Sequence, residues 1–483
     1  MINNNDSGAG SLRQAIINAN ATTAPDVVDA TGVSGTINLG TALPILAEDV
    51  EIRGPATGAL TLRRGMGVMS SFGIFTVNPG VTAGISGLTV ASGNVAGMST
   101  GGAGINNAGT LTLRDGVVTG NVNTAGGGQG GGILNSGRLS VLRSTVSGNS
   151  APKGGGIANV NAGDLTVQNS TVSGNTATDS DGTDGGAGIN NRGATATVAN
   201  STVTGNTTEA RGGGLSNVVQ AAPEISTMTV KNSTVASNSG DGGGDNLFNS
   251  SNGGTATFRF RSTLVSDPKG AEHDNCGSAG ASSFDMSSQG YNLASDASCS
   301  LTATADQPST NPNLGPLANN GGPTRTMALP LSSPAVDKGI AGGLTTDQRG
   351  LIRPVDFPAI PNASSGDGTD IGAFEVQAPP PEPPSNEFSF GKVKKNKKKG
   401  TAKLTVIVPG PGALDLAKTK KLKPDEKVAA AAGEAKLKVK SKGKSKRKLR
   451  HRGKAKVTAE VTYTPTGGES NTLSKKLKLK KRR

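Results

Sequence analysis

Between Gly101 and about Lys269, apolar and polar positions recur in one fixed order. A glycine run is followed by Ile or Leu, any residue, Asn, a short alternating segment, and Ser-Thr-Val-Ser/Thr-Gly-Asn. The units read GGAGINNAGTLTL, GGGILNSGRLSVL, GGGIANVNAGDLTV, GGAGINNRGATATV and GGGLSNVVQ…STMTV. Their leading apolar residues, Ile105, Ile133, Ile157, Ile189 and Leu215, are 28, 24, 32 and 26 residues apart. That period is too long for a heptad and too short for a propeller blade, and it holds no helical pattern. It accommodates three short strands separated by Gly, Asn and Ser turns, which is one coil of a parallel β-helix. Roughly ten such coils, stacked at about 4.8 Å each, make a rod about 50 Å long.

Two asparagine columns support the stacking. Asn107, Asn135, Asn159, Asn191 and Asn217 follow the apolar residue, and Asn121, Asn149, Asn175, Asn206 and Asn238 close the Ser-Thr-Val unit. Asn tolerates the left-handed conformation of a sharp corner. Its amide is expected to donate to a carbonyl of the next coil. Both columns are therefore read as structural rather than as ligands for a sugar or metal. Length varies in two places, between the second Asn and the next apolar residue and between the two Asn columns, so loops are expected there.

Ser11-Leu12-Arg13-Gln14 forms a capping box ahead of Leu12, Ala15, Ile16 and Ala19, which predicts a short helix over the first coil. Strands are predicted at Thr36–Leu39, Val50–Arg53, Leu60–Arg63, Phe75–Val77 and Ile85–Val90. The period is lost after Lys269, and 270–377 reads as an irregular C-terminal cap. Residues 1–377 are thus assigned to the β-helix, 378–386 (around APPPEPPS) to a Pro-rich linker, and 387–483 to a second module. In that module AKLTVIV, AKLKVKSK, AKVTAEVTYT and KKLKLKK alternate, with Leu437 and Val439 on one face and Lys436, Lys438 and Lys440 on the other. A small β-sandwich with Lys on its solvent faces and a frayed basic end is predicted.

Composition sharpens this picture. The 483 residues include 72 Gly but only 2% aromatics and no Trp, so the core must be built from small and β-branched side chains in regular layers. From Ser385 onward lie 31 of the 49 Lys and Arg but 7 of the 35 Asp and Glu, a net of +24; the remaining 18 cations and 28 anions give −10. Opposite signs point to two modules with different partners. Cys276 and Cys299 are the only cysteines and suit one disulfide in an oxidising compartment, worth roughly 3 kcal/mol by loop closure. The alternative, a two-thiol metal site, has only two His in the whole chain to draw on. No stretch approaches a membrane span and no signal peptide is visible. A secreted protein carries a leader, so the true start is expected upstream.

The opening DSGAGSLRQAIINAN, the GGGI-x-N…STVSGN repeats and the closing GPLANNGGPTRTMALPLSSPAVDKG…TDQRGLIRP…DIGAFE together resemble the choice-of-anchor Q domain. That family is a bacterial surface right-handed parallel β-helix, related to CSLREA-type and polymorphic outer-membrane protein repeats. The resemblance spans about residues 1–377. It implies a secreted or cell-surface protein with no defined catalytic residues. The Lys-rich tail resembles Ig-like modules appended to such proteins.

Glycoside hydrolysis and lyase reactions need carboxylates facing each other across a cleft. Asp115, Asp164, Asp179, Asp181, Asp184, Glu209, Glu224, Asp241 and Asp245 are sparse and share no coil position, apart from Asp241 and Asp245 in one corner. The repeats contain no His, Tyr or Trp to act as base or to stack on a sugar. Asp179–Asp184 alternates acids around Gly182 as a hard-cation loop does, but lacks the distal bidentate Glu and reads as a solvated acidic loop. The Gly126–Gly132 run has no following Lys-Ser/Thr and reads as a tight corner rather than a phosphate cradle. No catalytic residue, cofactor or metal is expected. The expected function is non-catalytic display or adhesion by a monomer, with an unknown protein or glycan ligand for the rod. Cell-envelope polyanions are expected on the basic module, without specific nucleic-acid recognition. A carbohydrate-active lyase or hydrolase on the same scaffold is the alternative.

Overall fold

The computed structural model describes residues 1–97, 101–180, 185–280, 284–378 and 382–482. It divides into two units, Met1–Ala378 and Pro379–Arg483.

The first unit is a right-handed parallel β-helix. Two ten-stranded parallel sheets run its length. In the first, Thr110–Arg114 pairs with Arg138–Leu142, Asp164–Gln168, Thr195–Ala199, Ile225–Lys231 and Thr255–Arg261 in turn. The second carries the Ser-Thr-Val strands, such as Val117–Thr119, Thr145–Ser147 and Thr171–Ser173. An eight-stranded sheet holds the leading apolar residues, from Phe75–Val77 to Cys276–Ala279. A six-stranded sheet of two-residue strands completes each middle coil, which therefore has four strands rather than the expected three. Fixed register turns each inward position into a column, and every member is out of water: Ile105, Ile133, Ile157, Ile189, Leu215 and Leu247 form one, Leu113, Val141, Val167, Val198, Val230 and Phe260 another. Burying each such side chain is worth roughly 1.5–3 kcal/mol, so a core poor in aromatics suffices when it is long.

Strand placement departs from the sequence reading at two points. The expected strand Ile85–Val90 is two strands, Thr82–Ser86 and Thr89–Ala91, because Gly87 turns the chain with φ +64°. The coil pattern also does not stop at Lys269. Leu247–Ser251, Thr255–Arg261 and Leu264–Ser266 are followed by a further coil, Cys276–Ala279, Phe284–Ser288 and Leu293–Ala294. Cys276 stands in register with Leu247, at the end of the Ile column, so the cysteine lies in a strand rather than in irregular coil.

At the N-terminal end, α1 (Leu12–Ala19) buries Leu12, Ile16 and Ala19 over the first coil. Half of the capping box forms: the Ser11 hydroxyl accepts from the Gln14 N–H, whereas the Gln14 amide turns to Asn18. At the other end, buried Cys299 and Leu301 join the core, and Cys276 and Cys299 form a disulfide. The segment after residue 311 does not continue as a cap. It folds back along the outside of the second sheet: Thr171, Thr202, Asn200, Asn232 and Thr234 of successive coils bond Arg325, Gln348, Thr346, Ile340 and Ala373. The Thr and Asn side chains that point outward from this sheet give the returning strand partners at coil-length intervals.

The second unit is a three-on-four antiparallel sandwich. Ser389–Asn396, Thr401–Val408 and Gly433–Val439 form one sheet; Asp425–Ala429, Gly412–Leu416, Lys454–Pro465 and Asn471–Lys480 form the other. Alternation drives it: Leu404, Val406, Leu437, Val439, Val457, Val461 and Leu479 face inward while the intervening Lys face solvent. Phe388 meets Tyr463 edge-on at 6.0 Å, and the Tyr463 hydroxyl donates to the Gly410 carbonyl. A helix not expected from the sequence, α2 (Gly443–Arg452), links the two sheets, packs against Lys454–Pro465 and buries only Ser445 and Leu449. Residues 379–381 of the expected linker lie outside the described residues.

Candidate functional site

Three places gather functional side chains. The first is the pair of asparagine columns, which the fold brings into continuous ladders. Asn149 shows the pattern: its amide nitrogen donates to Val118 O at 3.0 Å and Asn175 Oδ1 at 3.0 Å, while its own Oδ1 accepts from the amide and the backbone N–H of Asn121. Asn121, Asn175, Asn206 and Asn238 repeat this, and the ladder runs on through Asn246 to Asn275. The other column runs Asn107, Asn135, Asn159, Asn191 and Asn217 to Asn249, with amide-to-amide distances of 2.7–2.8 Å. In this column the amides also donate to backbone carbonyls of the next coil, Asn107 to Arg138 O and Asn159 to Thr195 O, as expected, and the next amide oxygen is a further partner. The left-handed corner also belongs to the preceding residue, Gly120, Gly148, Gly174 and Gly205, and not to the ladder Asn. All ten predicted Asn are buried. Apart from the Asn107 Oδ1 at the head of its column, these amides are bonded within the ladders and turned away from any ligand.

The second is a buried ionic cluster built by the closing motif. Arg353, 2% exposed, donates to Glu375 Oε2 at 2.8 Å, to Asn200 Oδ1 of the rod at 3.1 Å, and to Gly372 O at 2.9 Å. Glu375 also accepts the Val355 and Asp370 N–H groups. Asp347 pairs with Arg349 at 2.7 Å, and Arg349 lies 3.6 Å over the Phe374 ring. Burial first, and then the neighbouring Glu375, push Asp370 up to about 8. One guanidinium serves both carboxyls, so one proton stays on the pair at neutral pH. TDQRGLIRP and DIGAFE are therefore the two halves of a clip that fastens the returning segment to the rod. The sequence showed these residues as a signature, but not what they touch.

The carboxylates singled out in the repeats are dispersed. Asp115 pairs with Arg143, and Asp164 faces Arg138 at 3.4 Å. Asp245 is buried and accepts the Gly240 and Gly270 N–H groups, with burial raising its pKa. Asp241, Glu209 and Glu224 are exposed, and Glu224 accepts the Gln220 N–H. Asp179 lies close to Lys153 at 3.4 Å; Asp181 and Asp184 lie outside the described residues. Among the described residues, the structure brings none of these together. It does line a hollow of about 530 Å³ on the first sheet with Asp26, Asp49, Glu51 and Arg114. There Asp49 accepts the Thr82 N–H and Glu51 pairs with Arg53. Among the described residues, no three His, Cys, Asp or Glu side chains are placed to hold a metal ion, and no helix is long and apolar enough to cross a membrane.

The third place is the basic unit. On the outer face of its four-stranded sheet, Lys454 stands opposite Lys480 and Lys456 opposite Lys478. On the three-stranded sheet Lys394, Lys403 and Lys438 form a row across three strands. A groove of about 550 Å³ between α2 and the first of these faces is lined by Lys421, Lys444, Lys448, Lys454, Lys456 and Lys478. Lys436 lies 3.9 Å from Glu434 on the three-stranded sheet. The lysines were legible as charge; α2, which makes one wall of the groove, was not.

No protein-family model matches the chain, and no curated protein does. Among solved structures, the crystal structure of pectate lyase Pel9A is similar over 78% of this chain and 96% of that one, with 11% sequence identity and a TM-score of 0.44.

Proposed function

We propose that this chain is a non-catalytic, extracellular display or adhesion protein of the choice-of-anchor Q type, held at a cell envelope through its basic unit. The observation that carries the reading is how the rod uses its polar groups. Its ladder amides are bonded to each other, and its buried acids Asp245, Asp370 and Glu375 are bonded to backbone N–H groups or Arg353. The outward column of the first sheet is a row of hydroxyls in register: Thr112, Ser140, Thr166, Thr197 and Thr229. Such a face suits adhesion through many small polar contacts better than acid–base chemistry, which needs a carboxylate with a raised pKa beside a cleft. A disulfide is consistent with an oxidising compartment.

The hollow of Asp26, Asp49 and Glu51 favours a second reading, a carbohydrate-active enzyme acting there. A panel of acidic and neutral polysaccharides, followed for new reducing ends and for unsaturated products, separates the two. Display predicts no turnover with any of them. Turnover that disappears in Glu51→Gln establishes the enzyme instead.

A further inference from the structure

We propose that the groove between α2 and the Lys454–Pro465/Asn471–Lys480 hairpin binds a linear, base-free polymer of closely spaced phosphate groups; this deepens the reading of the basic unit as the envelope tether and rests on it. The arrangement works against the unit's own stability. Like charges directly opposite on adjacent strands repel, and Lys454/Lys480 and Lys456/Lys478 are two such pairs side by side. Lys444 and Lys448 repeat the conflict along α2, four residues apart on one helical face. Lys421 closes the end of the same hollow. A like-charged cleft with no acid lining it is relieved by an anion that bridges several ammonium groups at once.

The chemistry of the lining narrows the anion. Every cation in the groove is Lys and none is Arg. Arg forks recognise planar carboxylates in pairs of hydrogen bonds, whereas Lys acts as a point charge and suits the compact, highly charged phosphate. Ser445, buried at the same wall, adds a hydroxyl donor. Spacing favours a chain over a single ion. Lysines recur about 5 Å apart across the strands and about 6.7 Å apart along them, so ammonium groups track a polymer with charges on a similar repeat. No aromatic ring lines the groove, which leaves nucleic-acid bases without a stacking platform. A second hollow, lined by Lys456, Thr458, Lys476 and Lys478, continues the track along the hairpin.

The test uses the full chain and end-labelled inorganic polyphosphate, with binding read by fluorescence anisotropy across a salt series. In one variant Lys444, Lys448, Lys456 and Lys478 are replaced by Gln. In a charge-matched control Lys394, Lys395, Lys397 and Lys398 are replaced by Gln. The groove variant is expected to bind at least about tenfold more weakly, with its log-log salt slope reduced by about 3, one counterion per lost contact. The control is expected to change less than about threefold, and the groove variant to melt no lower than the parent, since its repulsions are gone. Equal losses in both variants, or polyglutamate or single-stranded DNA binding as tightly as polyphosphate, overturn the proposal. Sedimentation of the parent with isolated cell envelopes separates the two levels. Salt-sensitive co-sedimentation without polyphosphate binding removes the ligand class alone, whereas polyphosphate binding without co-sedimentation removes the tether.

Discussion

At the scale of single residues, the rod shows why Asn recurs where Ser or Asp would also fit a turn. An amide carries two N–H donors and an acceptor oxygen on one short side chain, whereas a hydroxyl has one donor and a carboxylate none, so Asn can bond its own coil and the next at once and pass the ladder on. Replacing Asn175 by Ala strands the Val146 carbonyl and the Asn149 N–H inside the core and breaks the ladder on both sides. That loss is expected to cost roughly 3 kcal/mol or more in denaturant unfolding. Asn107 begins its column, and its Oδ1 has no partner, so Asn107→Ala should cost about half as much. The sequence made the columns visible through identity and spacing alone. It could not say which of two adjacent residues takes the left-handed turn, because Gly and Asn both tolerate it, and the structure gives that turn to Gly120, Gly148, Gly174 and Gly205.

Glycines also set the limits at the scale of elements. A Cβ at Gly156 would lie 2.5 Å from the Gly188 carbonyl oxygen of the next coil, whereas a Cβ at Gly120 meets nothing within 4 Å. Gly120→Ala should therefore cost only the left-handed backbone, about 1–2 kcal/mol, and Gly156→Ala more, since coils must part; thermal melts of the two variants rank them. The returning segment makes a different prediction. Asp370 holds its proton up to about pH 8 when folded and only to about pH 4 when unfolded, so folding takes up a proton between those values. Stability is then highest at the acid end and declines as pH rises toward 8. Hydrogen exchange in residues 340–376 should quicken from pH 5 to pH 9 by more than the intrinsic rate, and Asp370→Asn should flatten that rise. Arg353→Met leaves the Glu375 charge buried without its partner, at a cost of about 3–5 kcal/mol, and should release the segment from the rod, which limited proteolysis would detect. Little of this was legible. The contacts with the rod link residues far apart in the chain, such as Thr202 with Gln348, 146 apart, where no periodicity carries the signal. The extra coil was hidden for a related reason: Asp274-Asn275 stand where earlier coils carry glycines, and Cys276 replaces the leading Ile or Leu. Helix α2 was hidden because Leu449 is the one large apolar residue in GKSKRKLRHR.

At the scale of the whole molecule, a rod with a net charge of −10 is joined to a unit of opposite sign, and the two show separate physical logic. The rod spends its polar groups on itself and leaves a register of hydroxyls outside. The basic unit sets its lysines against each other across strands. The fold class and the charge split could be read from periodicity and counting, because both are properties of the whole chain. The groove could not, because it depends on a helix laid beside a sheet. Co-sedimentation of the full chain with isolated bacterial cell envelopes, from about 0.05 M to about 1 M NaCl, tests the account most directly. It predicts binding at the low end that falls linearly on a log-log plot until the chain is released. A chain that stays in the supernatant at low salt, or stays bound at the high end, would contradict it.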